Sequence, residues 1–312
     1  MNAVTKQSAT MDVFVFSFNR GQFLRNCIRS VQTHWPRVNI TVVDDRSDDK
    51  ETQAVLSELK AEGVQVLLAP EKSFTKRHGG LYNNMQLALE IATERSTEYA
   101  LFLQDDMQVV RDIDEADTDY IPAFFNEYPQ AAFLHPLFLK GARKRRDQAI
   151  TYLSGKLPVY FRKKRENKTP RGISYSDCFI AHIPRLRQAS WQFQGSEVSN
   201  ARQAERLFGD MGFMLHPIAM YLPEVPVYRG KRKTRWVELA QERGGESPNA
   251  FLPLHGAALK RLKERNVKQQ LPVAEHYLKT TRAAKKPFRY SQINAFPVLR
   301  VLHKIEQIIK KR

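Results

Sequence analysis

The 312-residue chain is 42% apolar, enough for a substantial core in one large domain or in a domain with an appendage. It has neither an apolar run of the ~18–20 residues that a bilayer span requires nor the charged start and apolar stretch of a secretory signal, so a cytoplasmic protein is expected. The formal charge of +17 is split unevenly, with 13 Lys/Arg against 20 Asp/Glu in residues 1–130 and 37 against 13 in residues 131–312; this points to an acidic-lined site early and a later surface facing nucleic acid, phospholipid headgroups or phosphorylated substrates.

In chain order, Asp12-Val-Phe-Val-Phe-Ser17 is strand-length and ends at Asn19-Arg-Gly21. Phe23, Cys27, Ile28 and Val31 then fall at helical spacing until Pro36. The unit repeats: a strand at Ile40–Val43, a helix around Glu51–Ala61, a strand at Val64–Leu68, a helix from about Leu81 to Thr93 and a strand at Ala100–Leu103. Such alternation predicts right-handed βαβ crossovers and a doubly wound, mostly parallel sheet. The pattern then loosens into a helix around Tyr120–Tyr128 and apolar segments at Ala131–Leu139 and Ile180–Ile183. Between them, residues 140–171 hold 12 Lys/Arg and two acids, a density that suits surface loops. A helix at about Val198–Phe208 and a strand near Ala219–Leu222 are expected to finish the sheet domain. Cys27 and Cys178 share no CxxC spacing and read as free thiols in a reducing compartment.

Two acidic pairs stand where strands run out, Asp44-Asp45 and Asp105-Asp106. The carboxyl ends of strands in open α/β sheets are where ligands bind. Asp44-Asp45 reads either as a helix N-cap or as an acceptor for a nucleotide base or ribose. Adjacent carboxylates such as Asp105-Asp106 repel each other unless a cation or ligand compensates, and Mg2+ or Mn2+ prefers such oxygen ligands.

The segments Val15-Phe-Ser-Phe-Asn-Arg20, Val42-Val-Asp-Asp-Arg-Ser47 and Leu101-Phe-Leu-Gln-Asp-Asp106, with Gly79-Gly-Leu-Tyr-Asn-Asn84 between the last two, resemble the GT-A glycosyltransferases of family 2 in order and spacing. The resemblance implies a GT-A fold and transfer of a sugar, with inversion, from a nucleotide-diphosphate donor to an acceptor hydroxyl. It places donor contacts at Ser17, Phe18, Asp44, Asp45, Arg77 and Asp105, with His78 as an alternative to Arg77. The family's DxD element corresponds to Gln104-Asp105-Asp106, which makes Asp106 the expected ligand of Mn2+ or Mg2+. The base that takes the acceptor proton lies in the family at an acidic pair before a helix. In the matching stretch, Gln194–Ala201, no Glu-Asp pair survives, and Glu197 is the candidate base with Glu205 and Asp177 behind it. Glu197 also reads as a first-turn acid that favours the helix dipole.

His182, His216, Trp191 and Tyr175 read more readily as structural than as ligands. Arg232-Lys-Thr-Arg-Trp236 is similar to an RW element near the acceptor in processive members, or is an exposed basic loop. After Pro297, apolar and basic residues alternate as in an amphipathic cationic helix, and residues 281–312 hold nine Lys/Arg and one Glu. That helix either lies on an anionic membrane surface or packs on the domain. The expected organisation is a catalytic domain at 1–225, with a nucleotide-binding half at about 11–106 and an acceptor half at about 107–225, followed by a basic, largely helical extension at 226–312. The expected partners are a nucleotide-diphosphate sugar and a glycan or lipid-linked acceptor in surface polysaccharide or glycolipid synthesis, at the cytoplasmic face of the membrane. Charge alone would permit nucleic-acid binding, but no recognition motif carries it. A sugar nucleotidyltransferase would open with a Gly-rich loop and a basic residue after the first strand, which Ser17-Phe-Asn-Arg-Gly21 is not.

Overall fold

The computed structural model describes residues 10–69, 80–155, 157–164, 168–226, 234–245 and 247–309. Arg77 and His78, the Gly79 of the glycine pair and Arg232-Lys233 lie outside the described residues. The first half alternates as the hydrophobic pattern predicts: β1 (Met11–Ser17), α1 (Gly21–His34), β2 (Asn39–Asp44), α2 (Lys50–Ala61), β3 (Gln65–Leu68), α3 (Leu81–Glu94) and β4 (Tyr99–Gln104). Strands β3, β2, β1 and β4 lie side by side and all parallel.

The continuous apolar character of β1 and β4 follows from burial on both faces. Val13, Val15, Leu101 and Leu103 point into one core with Leu24, Ile28 and Val31 of α1 and Val55 and Leu59 of α2. The alternate residues Phe14, Phe16, Ala100 and Phe102 point into the other with Tyr82, Met85 and Leu89 of α3. Each fully buried Val, Leu, Ile, Phe or Met side chain among them contributes roughly 1.5–3 kcal/mol. Helix α1 stops at Trp35 because a residue before proline is pushed out of helical geometry. Helix α2 begins at Lys50, with the Asp49 side chain accepting from the Thr52 amide at 2.8 Å.

The second half contains β5 (Met107–Val109), α4 (Glu115–Glu127), β6 (Phe133–His135), α5 (Lys144–Ile150), β7 (Thr151–Leu153), β8 (Tyr160–Arg162), β9 (Phe179–His182), α6 (Ile183–Gln188), α7 (Glu197–Phe208), β10 (Gly212–Phe213) and β11 (Ala219–Tyr221). The sheet continues from β4 through β9, β6, β10, β8 and β7. Strands β9 and β8 run against their neighbours and the rest share one direction, so the sheet is mostly parallel overall.

Three expectations need correction. Helix α4 starts at Glu115 rather than near Tyr120, because Asp114 and Asp117 form a capping box a turn earlier. Strand β11 does not finish the main sheet; it pairs antiparallel with β5 in a two-stranded ribbon. The basic stretch at 140–146 is not an open loop but a 3-10 turn (Gly141–Arg143) leading into α5, and Arg162 is buried on β8.

Beyond residue 226 the described elements are α8 (Arg235–Gly244), α9 (Gly256–Lys263), α10 (Ala274–Tyr277), a 3-10 turn (Gln292–Ala295) and α11 (Pro297–Ile309). Phe251, Leu254, Leu262, Leu278 and Phe288 pack on Phe23, Val110, Phe138, Met220 and Leu222 of the preceding region. The Gln108 side chain clasps the Phe251 backbone in both directions, at 2.8 and 2.9 Å. Helix α11 meets α8 through Leu299, against Val237 and Ala240, while Val298, Val301, Ile305, Ile308 and Ile309 remain exposed.

Candidate active site

The parallel register sets the ends of β1, β2 and β4 beside one another: Ser17 pairs with Asp44 and Phe16 with Gln104. The chain continues that alignment past the strands, the Asp45 amide donating to the Ser17 carbonyl at 2.8 Å and the Asp105 amide to the Phe16 carbonyl at 3.0 Å. Both acidic pairs therefore open on one edge of the sheet.

Asp44 is fully buried and its carboxylate is engaged by Ser47, accepting from the amide and from the hydroxyl, each at 2.7 Å. Ser47 in turn accepts from the Asn19 amide at 2.9 Å, and the Asn19 side chain accepts from the Asp48 amide at 2.9 Å. Asp44 thus holds the loop after β2 against the loop after β1; the helix cap itself is Asp49. Asp45 reaches the other way, accepting from the Gly80 amide at 2.7 Å at the head of α3. A Cβ on Gly80 would lie 1.9 Å from Asp45 Oδ1, so only glycine permits that approach. Burial raises the Asp45 pKa, against the hydrogen bonds from Gly80 and Asn84. Among the described residues, the buried Ser17 Oγ and Asn84 Oδ1 have no hydrogen-bond partner. Buried polar atoms are nearly always paired, and these two lie beside the ends of β1 and α3.

Asp105 is buried and Asp106 partly so, and Arg20 closes on both. Its Nε donates to Asp105 Oδ2 at 3.3 Å, its Nη1 donates to Asp106 Oδ2 at 3.2 Å, and the second Nη faces Asp105 Oδ1. The Phe18 amide adds a bond to Asp105 Oδ2 at 3.1 Å. Burial pushes Asp105 up to about 7, with Arg20 opposing and Asp106 adding to the rise. The compensation that adjacent carboxylates demand thus comes first from the guanidinium of Arg20, which closes the segment Val15–Arg20. Among the described residues, no three His, Cys, Asp or Glu side chains gather to hold a metal. Asp106 nevertheless keeps a buried Oδ1 without a hydrogen-bond partner. One carboxylate oxygen, completed by phosphate oxygens and water, is a donor set that Mg2+ or Mn2+ accepts. The ribbon of β5 and β11 braces this turn, with the Leu222 amide donating to the Asp106 carbonyl at 2.8 Å.

A cavity of about 650 Å³ adjoins at Gln104, and both Glu197 and Asp177 line it. Glu197 is the first residue of α7 after the Ser196 cap, and Arg171 faces it at 3.4 Å. Burial raises its pKa, with Arg171, Arg143 and Lys140 opposing. Asp177 accepts from the Tyr82 hydroxyl at 3.1 Å to each oxygen, and burial together with the neighbouring Glu197 pushes it up to about 8. The two acids therefore form a pair across sequence, 177 with 197, which a search for adjacent acids misses. Tyr82, within the quoted Gly79–Asn84 segment, and Tyr221, which lines the cavity, were likewise not singled out as site residues. Glu205 instead pairs with Lys164 at 2.6 Å.

The remaining candidates pack or cap within the fold, although Tyr175 also hydrogen-bonds Asp177. Trp191 and Tyr175 sit in an aromatic cluster with Phe133 and Phe179. His182 caps α6, accepting from the Arg185 amide at 3.4 Å. His216 contacts Arg265 at 3.2 Å, and burial lowers it to about 4. Thr234, within the RW element, caps α8.

Residues 12–165 match the family described as Glycosyl transferase family 2. No curated protein matches the chain. Among solved structures, TarS 1–349 of S. aureus in complex with UDP-GlcNAc is similar at 13% identity over 72% of this chain and 62% of that one, with a TM-score of 0.46. The mannosyltransferase PcManGT from Pyrobaculum calidifontis, in complex with GDP-Man and Mn2+, is 13% identical over 77% of this chain and 64% of that one, with a TM-score of 0.44. Glucosyl-3-phosphoglycerate synthase from Mycobacterium tuberculosis, in complex with Mn2+, UDP and glucosyl-3-phosphoglycerate, is 14% identical over 66% and 69%, with a TM-score of 0.40. The chain spans less than two thirds of the length of the TarS chain.

Proposed function

With residues 12–165 belonging to glycosyl transferase family 2 and the chain folded as a GT-A α/β sheet domain, we propose that it moves a sugar from a nucleotide-diphosphate donor to an acceptor hydroxyl with inversion. The observation that carries this reading is the meeting of two carboxylate sets: Asp45, Asp105 and Asp106 on the carboxyl edge of the parallel strands, and Asp177 with Glu197 in the adjoining cavity. The donor's nucleoside lies along the ends of β1 and β2, where Ser17 Oγ and Asn84 Oδ1 await partners. Ser17, Phe18, Asp44, Asp45, Arg77 and Asp105 are the proposed donor contacts, Asp44 acting by holding the loop through Ser47.

The chemistry divides between the two sets. Asp106, through its unpartnered Oδ1, would hold a divalent cation, and Arg20 compensates the acidic pair. Bound there, Mn2+ or Mg2+ would supply Lewis-acid stabilisation of the departing diphosphate. Glu197, beside Asp177, takes the acceptor proton as the acceptor oxygen bonds to the anomeric carbon and the carbon–oxygen bond to the diphosphate breaks. A carboxyl whose pKa is raised by burial is suited to that proton transfer near neutrality. The pathway we propose is surface polysaccharide or glycolipid synthesis at the cytoplasmic face of the membrane. Support for a membrane surface comes from α11, which turns five large apolar residues outward beside basic neighbours; among the described residues no helix is long and apolar enough to cross a membrane.

Thermal melts with UDP, GDP and CDP, each with and without Mn2+, test the reading. At least one nucleoside diphosphate should raise the melting temperature more with metal than without. If none does while duplex DNA does, the protein is a nucleic-acid binder.

A further inference from the structure

Resting on the glycosyltransferase reading, we propose that the acceptor carries a phosphoryl group, docked in the basic part of the cavity that Glu197 and Asp177 share. The cations come from three segments: Lys140, Arg143 and Arg146 around the start of α5, Arg162 on β8 with Lys163 just after it, and Lys168 and Arg171 in the loop before β9. Asp147, Asp177 and Glu197 are the acids on the same wall, and two of these are already engaged. Asp147 lies between Arg146 at 2.7 Å and Arg162 at 3.2 Å, and Glu197 faces Arg171 at 3.4 Å. Among the described residues, Lys140, Arg143 and Lys168 have no carboxylate within ion-pair distance. Like charges gathered around an enclosure repel one another, and an anion drawn between them relieves that repulsion.

Lys140 lies against two aromatic rings. Its ammonium sits 3.8 Å from the Tyr221 ring centre and 4.5 Å from that of Tyr290, so two aromatic faces hold the charge in place. Burial and the neighbouring Arg143 lower its pKa to about 8, against Asp106 and Glu197, which raise it; an anion would hold it charged.

Two competing occupants fit less well. The donor's own diphosphate belongs beside Asp105 and Asp106, and of the residues at the carboxyl ends of β1, β2 and β4 only Gln104 lines this cavity. Nucleic acid is tracked by a long basic stripe, whereas these cations line a cavity of about 650 Å³, the volume of a small-molecule site.

The test is equilibrium titration of the full chain with sn-glycerol 3-phosphate, with glycerol as the neutral control, and separately with the nucleoside diphosphate and Mn2+ that stabilise it. Glycerol 3-phosphate should bind where glycerol does not. The exposed pair Arg143→Gln with Lys168→Gln should weaken phosphate binding by about tenfold or more, with nucleotide binding unchanged within about twofold. Lys140→Gln, checked for folding by circular dichroism, should do the same. Phosphate binding unaltered in both variants, or binding lost in step with the nucleotide, overturns the proposal; the second result assigns the cations to the donor. Failure of the wild-type chain to bind any nucleoside diphosphate would instead remove the glycosyltransferase reading, whatever the phosphate titration shows. Farnesyl diphosphate separates the sources: binding about tenfold tighter than glycerol 3-phosphate means a lipid-linked acceptor, and equal binding means a free phosphate ester.

Discussion

Asp106 and Glu197 make different demands on the same reaction, so their variants should fail differently. Asp106→Ala removes the unpartnered carboxylate oxygen proposed to hold a cation and should abolish both transfer and metal-dependent nucleotide binding. Glu197→Gln keeps the shape and hydrogen bonding of the first turn of α7, so donor binding should persist while turnover falls by about 10²–10⁴. Transfer retained in Glu197→Gln would shift the base to Asp177. The raised pKa of Asp177 also has a consequence for stability. Its folded state holds the proton more tightly than the unfolded chain, so its contribution is present below the ordinary carboxylate range and is lost as pH rises toward about 8. Melting temperature should therefore drop between pH ~5 and pH ~8 in the wild type and drop less in Asp177→Asn, by about 2–4 °C for each kcal/mol recovered. Equal slopes in the two proteins would mean that Asp177 titrates as an ordinary carboxylate.

Elements are positioned here by a few polar clasps. Arg111 is fully buried, donates to Asp117 at 2.5 and 2.7 Å, and reaches the Pro217 carbonyl at 3.0 Å and the His216 carbonyl at 2.6 Å. It thereby fastens the end of β5 to the start of α4 and to the approach to β11, the ribbon that braces the Asp106 turn. Asp117→Asn leaves a buried guanidinium without its counter-charge and should cost about 3–5 kcal/mol, read as a shift of the urea midpoint. Helix α11 makes the opposite prediction. Only Leu299 of its residues is buried, against α8, so deleting residues 297–312 should change the melting temperature little and abolish co-sedimentation with anionic liposomes. Unchanged co-sedimentation would exclude α11 as the membrane contact.

Across the whole molecule the charge asymmetry becomes spatial. The acidic first half supplies the strand-end carboxylates and the basic second half supplies a cavity wall beside them. The βαβ half was legible because doubly buried parallel strands must read as short apolar runs, and because helices crossing over them repeat their apolar residues at helical spacing. The same patterns placed Asp44, Asp45, Asp105 and Asp106 at strand ends before any coordinates. What the sequence could not reveal is pairing between distant segments. Nothing local says that β11 joins β5 rather than the main sheet, that Arg20 closes on Asp105 and Asp106, or that Asp177 stands beside Glu197. Nor does a run of cations announce whether it is a solvated loop or, as α5 and β8 prove, a cavity wall. Local composition and period decide which residues are strand, helix and buried; only the packed chain decides which charges face each other, because that depends on contacts between residues far apart in sequence.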